Sequence, residues 1–518
     1  MNQTNFYIDP QSWKEDLPAF QEATCRFYAG ASSVKEYKGF SGGFGSYAQK
    51  GGKASMLRLR TPGGRLDQKK LAFVADCIRQ YGVDKLHFTT CQTIQLHDLQ
   101  PDALFAIMEK ALDVGIVTRG GGGDFPRNAM VSPLSGVEQG EYFDVLPWAE
   151  AAGEYLMTFI RERKMPRKLK VGFSNSPANV PHVTFRDLGF AARPDGTFDV
   201  YSAGGLGPNP KMGLKVAEAV APQEILFHIR AMWELFLAYG NYENRAKART
   251  RYMQDVLGAE GYVAAYSETL ARVKAEHPEL VLEVSPAPMT KTGDGSTASG
   301  RRILAQKQEG LYAVHYHPLG GCPAPEQMVK LSELLSGMPG AEVRLAPDES
   351  AYIVNLTGKE AMAVAQFTAD SARDRFETSV ACIGASICQQ GVGDSQKLLR
   401  DCVEAVRAAN LKDGSLPQIH ISGCPSSCGT HQIGVIGFHG GVKVIDKVPH
   451  PAFTLHVYGN DRQGEERFGT QVGVMLAGDI PSFLVKLGQT VENAGMDFDA
   501  WNKSNPNAIE TIAADFLA

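Results

Sequence analysis

The stretches ACIGASICQQ (Ala381–Gln390) and SGCPSSCGTHQ (Ser422–Gln432) hold four of the nine cysteines of this chain. Cys382 and Cys388 enclose five residues, and Cys424 and Cys428 enclose three. Four thiolates on Gly- and Ser-rich backbone suit a metal centre whose ligands converge on a compact cluster. Zinc fits the wider pair poorly, because its cysteine pairs usually enclose about two to four residues. Four buried structural cysteines are the remaining alternative.

The rest of the composition is that of an ordinary globular protein. The chain has 518 residues, of which 43% are hydrophobic and 21% are charged, enough for several domains. Its net charge of −5 gives no global basic excess for nucleic acid or an anionic membrane. The first residues carry neither a basic nor an apolar signal region, which predicts a soluble cytoplasmic protein. An odd number of cysteines argues against a disulfide framework, and five are scattered singly: Cys25, Cys77, Cys91, Cys322 and Cys402.

A half-length repeat organises the chain. The pattern predicts a β-α-β-α unit, and a similar series returns about 257 residues later, with Gly64 matched by Gly321. Duplicated halves are expected to pack about a pseudo-two-fold axis. The predicted elements of the first unit are Ala54–Thr61, Asp67–Tyr81, Leu86–Leu96 and Ala103–Val114. Those of the second are Leu311–Tyr316, Pro325–Leu335, Ala341–Ala346, Tyr352–Leu356 and Glu360–Asp370.

Two larger modules, about 119–280 and 371–518, follow these units. Periodicity predicts helices at Ile225–Tyr239 and Tyr242–Leu257. Pro286–Gly300 is the best linker candidate, since turn-forming residues punctuate it and no apolar period runs through it. Residues 1–50 are predicted to form an irregular arm over the body.

Together these features resemble a known family. C-x5-C followed by G-C-P-x-x-C-G is similar to the signature of the sirohaem and [4Fe–4S] sulfite/nitrite reductases, and MLRLRTPGG, PRNAMVSPLSG and MPRKLK extend the resemblance. It implies an α+β fold with duplicated ferredoxin-like half units and two sirohaem/Fe–S modules. It also implies that the four cysteines hold a [4Fe–4S] cubane, with Cys428 also ligating the sirohaem iron. The implied segments are 1–52, 53–118, 119–285, 301–370 and 371–518.

The resemblance also implies a cationic anion site built from Arg58, Arg127, Lys168 and Lys170. Lys168 and Lys170 are two residues apart, so on a strand both point to one face. Arg127 is separated from Cys382 by nearly the same length of chain as Lys168 is from Cys424, which predicts that cations and cysteines occupy equivalent loops of the two halves. The alternative is that Arg161–Lys170 is a solvated basic run or a nucleic-acid patch.

Gln92, Ser426 and Cys428 join Arg127, Lys168 and Lys170 as the expected cofactor-binding residues. The family usually has an Arg just before Gln92, to hold a sirohaem carboxylate, and this chain has Cys91. Arg60 and His87 are candidate replacements for that charge. Ser426 stands where many members have Asn. The run Gly120–Gly123 lacks a full phosphate-binding motif, and we expect it to allow a close approach to sirohaem.

The resemblance implies six-electron reduction of sulfite to sulfide, with sulfite favoured because sulfite-type members carry Lys-x-Lys where nitrite reductases carry Lys-x-Asn. The alternatives are nitrite reduction to ammonia, an iron–sulfur electron-transfer protein without a substrate, and an oxygenase of corrinoid synthesis on the same fold. The sequence shows no flavin- or nicotinamide-binding unit. Electrons are therefore expected from a separate donor, such as a ferredoxin or a flavoprotein.

Overall fold

The computed structural model describes residues 6–284 and 289–518, so residues 286–288 of the expected linker lie outside the described chain. The chain divides into two compact units. Unit 1 comprises Met1–Gly205, Pro210–Tyr316 and Pro323–Ala369; unit 2 comprises Leu206–Asn209, His317–Cys322 and Asp370–Ala518. Among the described residues, no helix combines the length and the apolar character needed to span a membrane.

The amino-terminal segment of unit 1 is more regular than the predicted irregular arm. It forms helices α1 (Leu17–Tyr28) and α2 (Val34–Ser41). Ser33 and Glu36 cap α2 reciprocally, since the Ser33 hydroxyl accepts from the Glu36 N–H and the Glu36 carboxylate accepts from the Ser33 N–H. Phe20 is fully buried in the core of the half units, so this segment is part of the globular unit.

The first half unit is a four-stranded antiparallel sheet of order β1-β2-β5-β4 with two helices. The predicted strand Leu86–Leu96 is in fact two strands joined by a hairpin, because Gln92 adopts a left-handed conformation (φ 54°) and turns the chain. The elements of the first half unit are β1 (Ser46–Ala48), β2 (Ser55–Arg60), β3 (Arg65–Leu66), α3 (Gln68–Tyr81), β4 (Leu86–Phe88), β5 (Thr93–Leu99) and α4 (Pro101–Asp113).

The first module is a five-stranded sheet of order β10-β9-β8-β7-β6. β6, β7 and β8 are parallel, and β9 and β10 continue antiparallel. The elements are β6 (Met130–Val131), α5 (Leu146–Thr158), β7 (Val171–Ser174), β8 (Leu188–Ala192), β9 (Phe198–Ser202), β10 (Leu214–Val220), α6 (Ile225–Tyr239) and α7 (Met253–Glu276).

One predicted helix in this module, Tyr242–Leu257, is wrong over most of its length. The Asn241 side chain accepts from the backbone N–H groups of residues 243 and 244, and Asn244 accepts from Ala246. These local bonds compete with helix formation, so α7 begins only at Met253. The predicted helix at Ile225–Tyr239 is confirmed as α6.

The second half unit repeats the first and shares its core. The 3-10 turn Leu319–Gly321 repeats the turn Pro62–Gly64, as the sequence repeat predicts. The two half units bury their leucines, valines and isoleucines in one continuous cluster, and β3 pairs with β13 of the second half unit, within unit 1. The elements are β11 (Ile303–Ala305), β12 (Tyr312–Tyr316), α8 (Pro325–Ser336), β13 (Glu342–Leu345), β14 (Ala351–Leu356) and α9 (Gly358–Phe367).

Unit 2 contains the second module, whose sheet β15-β16-β17-β18-β19 has the topology of the first module. Three parallel strands again come first, followed by two antiparallel ones. Its elements are β15 (Val380–Ala381), α10 (Ser395–Ala408), β16 (Ile419–Ser422), β17 (Ile436–Ile445), β18 (Val448–Val457), β19 (Thr470–Leu476), α11 (Ile480–Asn493), α12 (Phe498–Ser504) and α13 (Ala508–Ala513).

The predicted register between cations and cysteines is wrong. The parallel pairing of β7 with β8 matches that of β16 with β17, so β7 and β16 are equivalent strands of the two modules. Arg127, Lys168 and Lys170 precede β6 and β7, whereas Cys382 and Cys424 follow β15 and β16. The first module therefore presents its cations at the amino ends of its strands. The second module presents its cysteines at the carboxyl ends.

Candidate functional site

One face of the first half-unit sheet is polar. Arg58 of β2, Gln95 of β5 and His87 of β4 form one cross-strand row, and the His87 Nδ1 lies 3.3 Å from the Gln95 amide oxygen. The alternate residues, including Leu57 and Leu96, face the core and are fully buried. Strand alternation thus places Arg58 on the face opposite the core.

The glycine-rich loop holds two arginines through its carbonyl groups. Arg58 donates to the carbonyl oxygen of Gly121. Arg127 donates to the carbonyl oxygens of Gly120 at 3.2 Å and Gly123 at 2.8 Å. A phosphate loop would turn its N–H groups toward the ligand, whereas here three of the four carbonyls face guanidinium groups. The expected role of this loop in a close approach to a cofactor stays a prediction, and its observed role is to position cations.

Like charges crowd around Arg127. Burial, with Arg58 as a further contribution, lowers the pKa of Arg127. Burial followed by Arg127 lowers the pKa of Arg60 to about 9. Arg60 donates to the Arg127 carbonyl oxygen at 3.0 Å, so it holds the backbone of that residue and does not replace the missing family arginine. Buried cations with cationic neighbours favour binding of an anion.

The hydroxyl of Tyr47 lies close to Arg127 and Arg58. Burial would raise the pKa of its hydroxyl, but Arg127, the Gly123 N–H and Arg58 together lower it. The Gly123 N–H donates to the Tyr47 oxygen at 2.8 Å. A β-carbon at Gly122 would lie 2.6 Å from that oxygen, so only glycine fits there. Sequence reasoning missed Tyr47, because a lone tyrosine carries no signal before its cationic neighbours are known.

The segment before β7 carries Lys168 and Lys170. They flank Leu169, which is fully buried and whose carbonyl oxygen accepts from the Arg127 N–H at 2.8 Å. Alternation along this extended segment agrees with a common face for the two lysines. The neighbouring residues of the basic run differ: Arg161, Arg163 and Lys164 are exposed.

Cys91 lies among the cations. Burial would raise the pKa of its thiol, but Lys170, which also hydrogen-bonds to it, Arg186 and Arg58 lower it to about 6. Arg186 is the cation that sequence reasoning missed. Burial lowers the pKa of Arg186, Cys91 offsets part of that change, and the Arg186 Nε donates to the Pro181 carbonyl oxygen at 2.8 Å. His87 faces Gln95 and Glu349, so it is not the replacement charge either.

Gln92, an expected cofactor-binding residue, has its side chain bonded to the backbone. Its side chain is fully buried, its Nε2 donates to the carbonyl oxygens of Val131 and Leu345, and its Oε1 accepts from the Val131 N–H. Both ends of the amide are engaged with backbone. Gln92 therefore fastens the hairpin to its neighbours within unit 1, and its expected role in cofactor binding stays a prediction.

The cysteine loops in unit 2 are shaped for thiolate ligands. The Gly423 N–H donates to Cys382 Sγ at 3.2 Å, and the Gln390 N–H donates to Cys388 Sγ at 3.4 Å. Cys382 also contacts Ser395, the first residue of α10, with its sulfur 3.4 Å from the hydroxyl. N–H···S bonds and a helix amino terminus both favour the thiolate.

Glycines bring the second cysteine loop close to its strand. A β-carbon at Gly429 would lie 2.0 Å from the Ile421 carbonyl oxygen. Ser426 and Cys428 are exposed on this loop, while Ser427 is buried with φ 56° and its hydroxyl has no hydrogen-bond partner among the described residues. The expected roles of Ser426 and Cys428 stay predictions. Ser427 is a further candidate for cofactor binding, which the cysteine motif alone does not indicate.

Comparison with known proteins gives the family. Residues 122–274 match the family model described as nitrite and sulphite reductase 4Fe-4S domain, and residues 47–114 match the nitrite/sulfite reductase ferredoxin-like half domain. The chain belongs to the nitrite and sulfite reductase family. The two matches cover the first half unit and the first module of this reductase, and the second half unit and second module repeat their topology.

Some relatives of this reductase are named as nitrite reductases and others as sulfite reductases. The ferredoxin–nitrite reductase of Synechococcus elongatus is 26% identical over 411 residues, which are 74% of this chain and 76% of the relative. The sulfite reductase [NADPH] hemoprotein beta-component of Nitrobacter hamburgensis is 27% identical over 432 residues, covering 74% and 72%. The structure of Mycobacterium tuberculosis NirA has a TM-score of 0.78 at 21% identity, over 97% of this chain and 95% of that one.

Family membership makes this chain an oxidoreductase that carries sirohaem and a [4Fe–4S] cluster, and the residues present fit both groups. The four cysteines, with N–H donors at two of the sulfurs, suit an iron–sulfur cluster. Sirohaem carries several carboxylates, and the buried Arg58 Nε, which has no hydrogen-bond partner in the described structure, lies in a basic cluster suited to an anionic group. The relatives' names also support an anionic substrate and an electron donor in general.

Proposed function

We propose that this reductase catalyses the six-electron reduction of sulfite to sulfide. The observation that carries the proposal is the basic cluster of Arg58, Arg127, Lys170 and Arg186, which surrounds Cys91 within unit 1. A cluster of this kind is suited to a small oxyanion, because it combines several charge-assisted donors in a desolvated place.

When bound, the [4Fe–4S] cluster and sirohaem would pass electrons from the donor to the substrate, and sirohaem would offer the coordination position for it. The chain's residues bind and orient the anion. Arg127 is fixed by two carbonyls of the glycine loop, so its guanidinium is pre-organised and little rotamer freedom is lost on binding. Lys170 Nζ can donate a proton to a departing oxygen, and the neighbouring cations stabilise the charge that develops there.

Lys170 supports sulfite over nitrite. It stands two residues after Lys168 in an extended segment and hydrogen-bonds to Cys91 within the cluster. Sulfite can carry two negative charges and three oxygens, whereas nitrite carries one charge and two oxygens. A second ammonium group therefore adds more attraction for sulfite, while an amide at this position could still donate to nitrite.

Nitrite reduction to ammonia is the second candidate. Ferredoxin–nitrite reductases from Synechococcus elongatus, Arabidopsis thaliana and Zea mays are each 26% identical to this chain over 74% of its length. The sulfite reductase of Nitrobacter hamburgensis, at 27%, matches the same share of the chain. Sequence similarity therefore favours neither substrate, and the residue at position 170 carries the distinction.

The test is the ratio of kcat/KM for sulfite to kcat/KM for nitrite, measured with a reduced viologen as donor. We expect the wild-type ratio to exceed one and Lys170→Asn to lower it about tenfold, mainly by loss of sulfite turnover. Lys164→Asn is the matched control, because Lys164 is an exposed lysine of the same basic run. A wild-type preference for nitrite, or an unchanged ratio in Lys170→Asn, would overturn the sulfite assignment.

The electron donor is proposed to be a separate protein, either a ferredoxin or a flavoprotein. Relatives named as ferredoxin-dependent and as NADPH-dependent match the chain at similar identity. Turnover with reduced ferredoxin, compared with turnover with NADPH and a flavoprotein reductase, distinguishes the two. Cytoplasmic localisation stays a prediction from the sequence.

A further inference from the structure

Three histidines that the proposed reaction does not use converge in unit 2. His431 lies in the loop after Cys428, His439 is on β17 and His456 is on β18. Their ring centroids are 4.9, 4.9 and 5.1 Å apart, and each offers one ring nitrogen within 4.8 Å of the others. His431 is 1% exposed and His456 is 8% exposed.

Sheet register explains the convergence. Gly437 pairs with His456 and His439 pairs with Thr454, so His439 and His456 are diagonal neighbours on one face of the β17–β18 ladder. The loop carrying His431 lies directly on that ladder, since a β-carbon at Gly437 would come 1.8 Å from the His431 carbonyl oxygen. Rigid backbone therefore sets the spacing of all three rings.

The rings are in the form that binds metal. Burial, followed by His456, His439 and His420, lowers the pKa of His431 to about 2. Burial and then His456 lower the pKa of His439 to about 4. Neutral imidazoles are metal ligands, whereas protonated ones are not.

The hydrogen bonds among the three histidines leave one buried ring nitrogen without a partner in the described structure. His439 Nδ1 lies 2.9 Å from His456 Nε2, so these two nitrogens share one proton. Nδ1 of His431 is buried and has no hydrogen-bond partner among the described residues. Burial lowers the pKa of His456, and a hydrogen bond to the backbone of Gly469 offsets part of that change, as expected of a ring N–H that donates. Such an outer bond fixes the tautomer of a ligating histidine.

We propose that His431, His439 and His456 form a second metal site, separate from the iron centre, that binds one divalent first-row transition ion, with Zn²⁺ the best fit. Zinc takes imidazole nitrogens at about 2.0–2.1 Å, which places tetrahedral ligands roughly 3.3 Å apart. The 2.9 Å between His439 Nδ1 and His456 Nε2 is close to that value, and each of the three histidines has a ring nitrogen within 4.8 Å of the other two. All-nitrogen ligation disfavours Ca²⁺ and Mg²⁺. His439 is partly exposed, which leaves the fourth position accessible to water.

This ion would fasten the loop after Cys428 to the β17–β18 ladder. His431 is three residues beyond Cys428, so the ion would limit the motion of a loop that bears one of the four cysteines. The proposal concerns metal content and stands whichever anion the reductase uses.

The experiment measures metal content of the full-length holoenzyme, purified without oxygen and without chelators from zinc-supplemented cells. We expect about one zinc per chain in addition to iron after desalting, and a zinc K-edge spectrum with three nitrogen ligands at roughly 2.0 Å. His439→Ala should lower zinc to below about 0.1 per chain while the iron content stays unchanged. His450→Ala is the control, a partly exposed histidine of β18 outside the cluster, and it should keep its zinc.

Several results would overturn the site. One is wild-type protein that holds less than about 0.1 zinc per chain even after incubation with equimolar Zn²⁺ and desalting. Another is a zinc-edge spectrum with sulfur ligands. Retention of zinc in a folded His439→Ala variant would contradict it equally. Should that variant not fold, the wild-type metal content and edge spectrum decide the question alone.

Discussion

Arg127 shows how a single side chain is made ready for an anion. Its N–H is bonded to Leu169, its guanidinium to two carbonyls of the glycine loop, and its own carbonyl to Arg60. Arg127→Ala should therefore lower kcat/KM about 30- to 1,000-fold, the loss of about 2–4 kcal/mol expected for a charge-assisted contact in a desolvated site. Steady-state kinetics and the sirohaem content measure this. Loss of sirohaem with normal turnover per remaining haem would instead make Arg127 a cofactor anchor.

Cys91 should make anion binding by the basic cluster of Arg58, Arg127, Lys170 and Arg186 depend on pH. Its pKa of about 6 means that the neutral thiol predominates below pH 6 and the thiolate above it. A thiolate hydrogen-bonded to Lys170 cancels positive charge that would attract the substrate, so KM should rise as the pH increases through about 6. Nitrite is the probe, because its charge is constant over this range. Cys91→Ser should remove this rise and lower KM about three- to tenfold at pH 8. The same pH profile in wild type and variant would contradict the assignment.

At the scale of elements, close backbone approach shapes the cysteine loops. An alanine at Gly429 would place its β-carbon 2.0 Å from the Ile421 carbonyl oxygen, so the Cys424–Cys428 loop would have to move. Gly429→Ala should destabilise unit 2 by about 1–3 kcal/mol or more and lower the iron content of the purified protein. Gly441→Ala is the matched control on β17, since nothing lies within 4 Å of its β-carbon. Thermal unfolding and iron analysis compare the two; equal behaviour would count against the steric argument.

The elements also show where sequence patterns are sufficient. Apolar periodicity predicts α3 because this helix has one well-defined buried face, and the long apolar run Ile225–Tyr239 predicts α6, which is buried on most of its sides. It does not predict the hairpin at Gln92, where a residue other than glycine takes a left-handed conformation because its amide is bound at both ends. The sequence does not indicate a role for Arg186 for a similar reason. Its sequence neighbours give no signal, and only the folded chain brings it to Cys91.

At the scale of the whole molecule, duplication is visible in the sequence only where its spacing is constant. The half units keep one spacing, which the turns at Gly64 and Gly321 reveal. The equivalent strands β7 and β16 of the modules are separated by a shorter length of chain, because the connecting loops differ in length. A single offset applied to the whole chain therefore predicts a false register between the cations and the cysteines. Strand pairing, which the sequence does not show, is what corrects it.

The last prediction concerns how the iron–sulfur cluster stabilises the chain. All four cysteines lie in unit 2, on loops next to β15, β16 and α10, so the free energy of cluster binding should stabilise chiefly that unit. Cys382→Ser should prevent cluster assembly and increase amide hydrogen exchange in residues 380–393 and 419–435. The exchange of α3, α4 and α8, in the core of unit 1, should change little. Exchange followed by mass spectrometry measures this, with Cys25→Ser, an exposed cysteine of α1, as the control. Equal loss of protection in both units would show that the cluster supports the whole chain and not one unit.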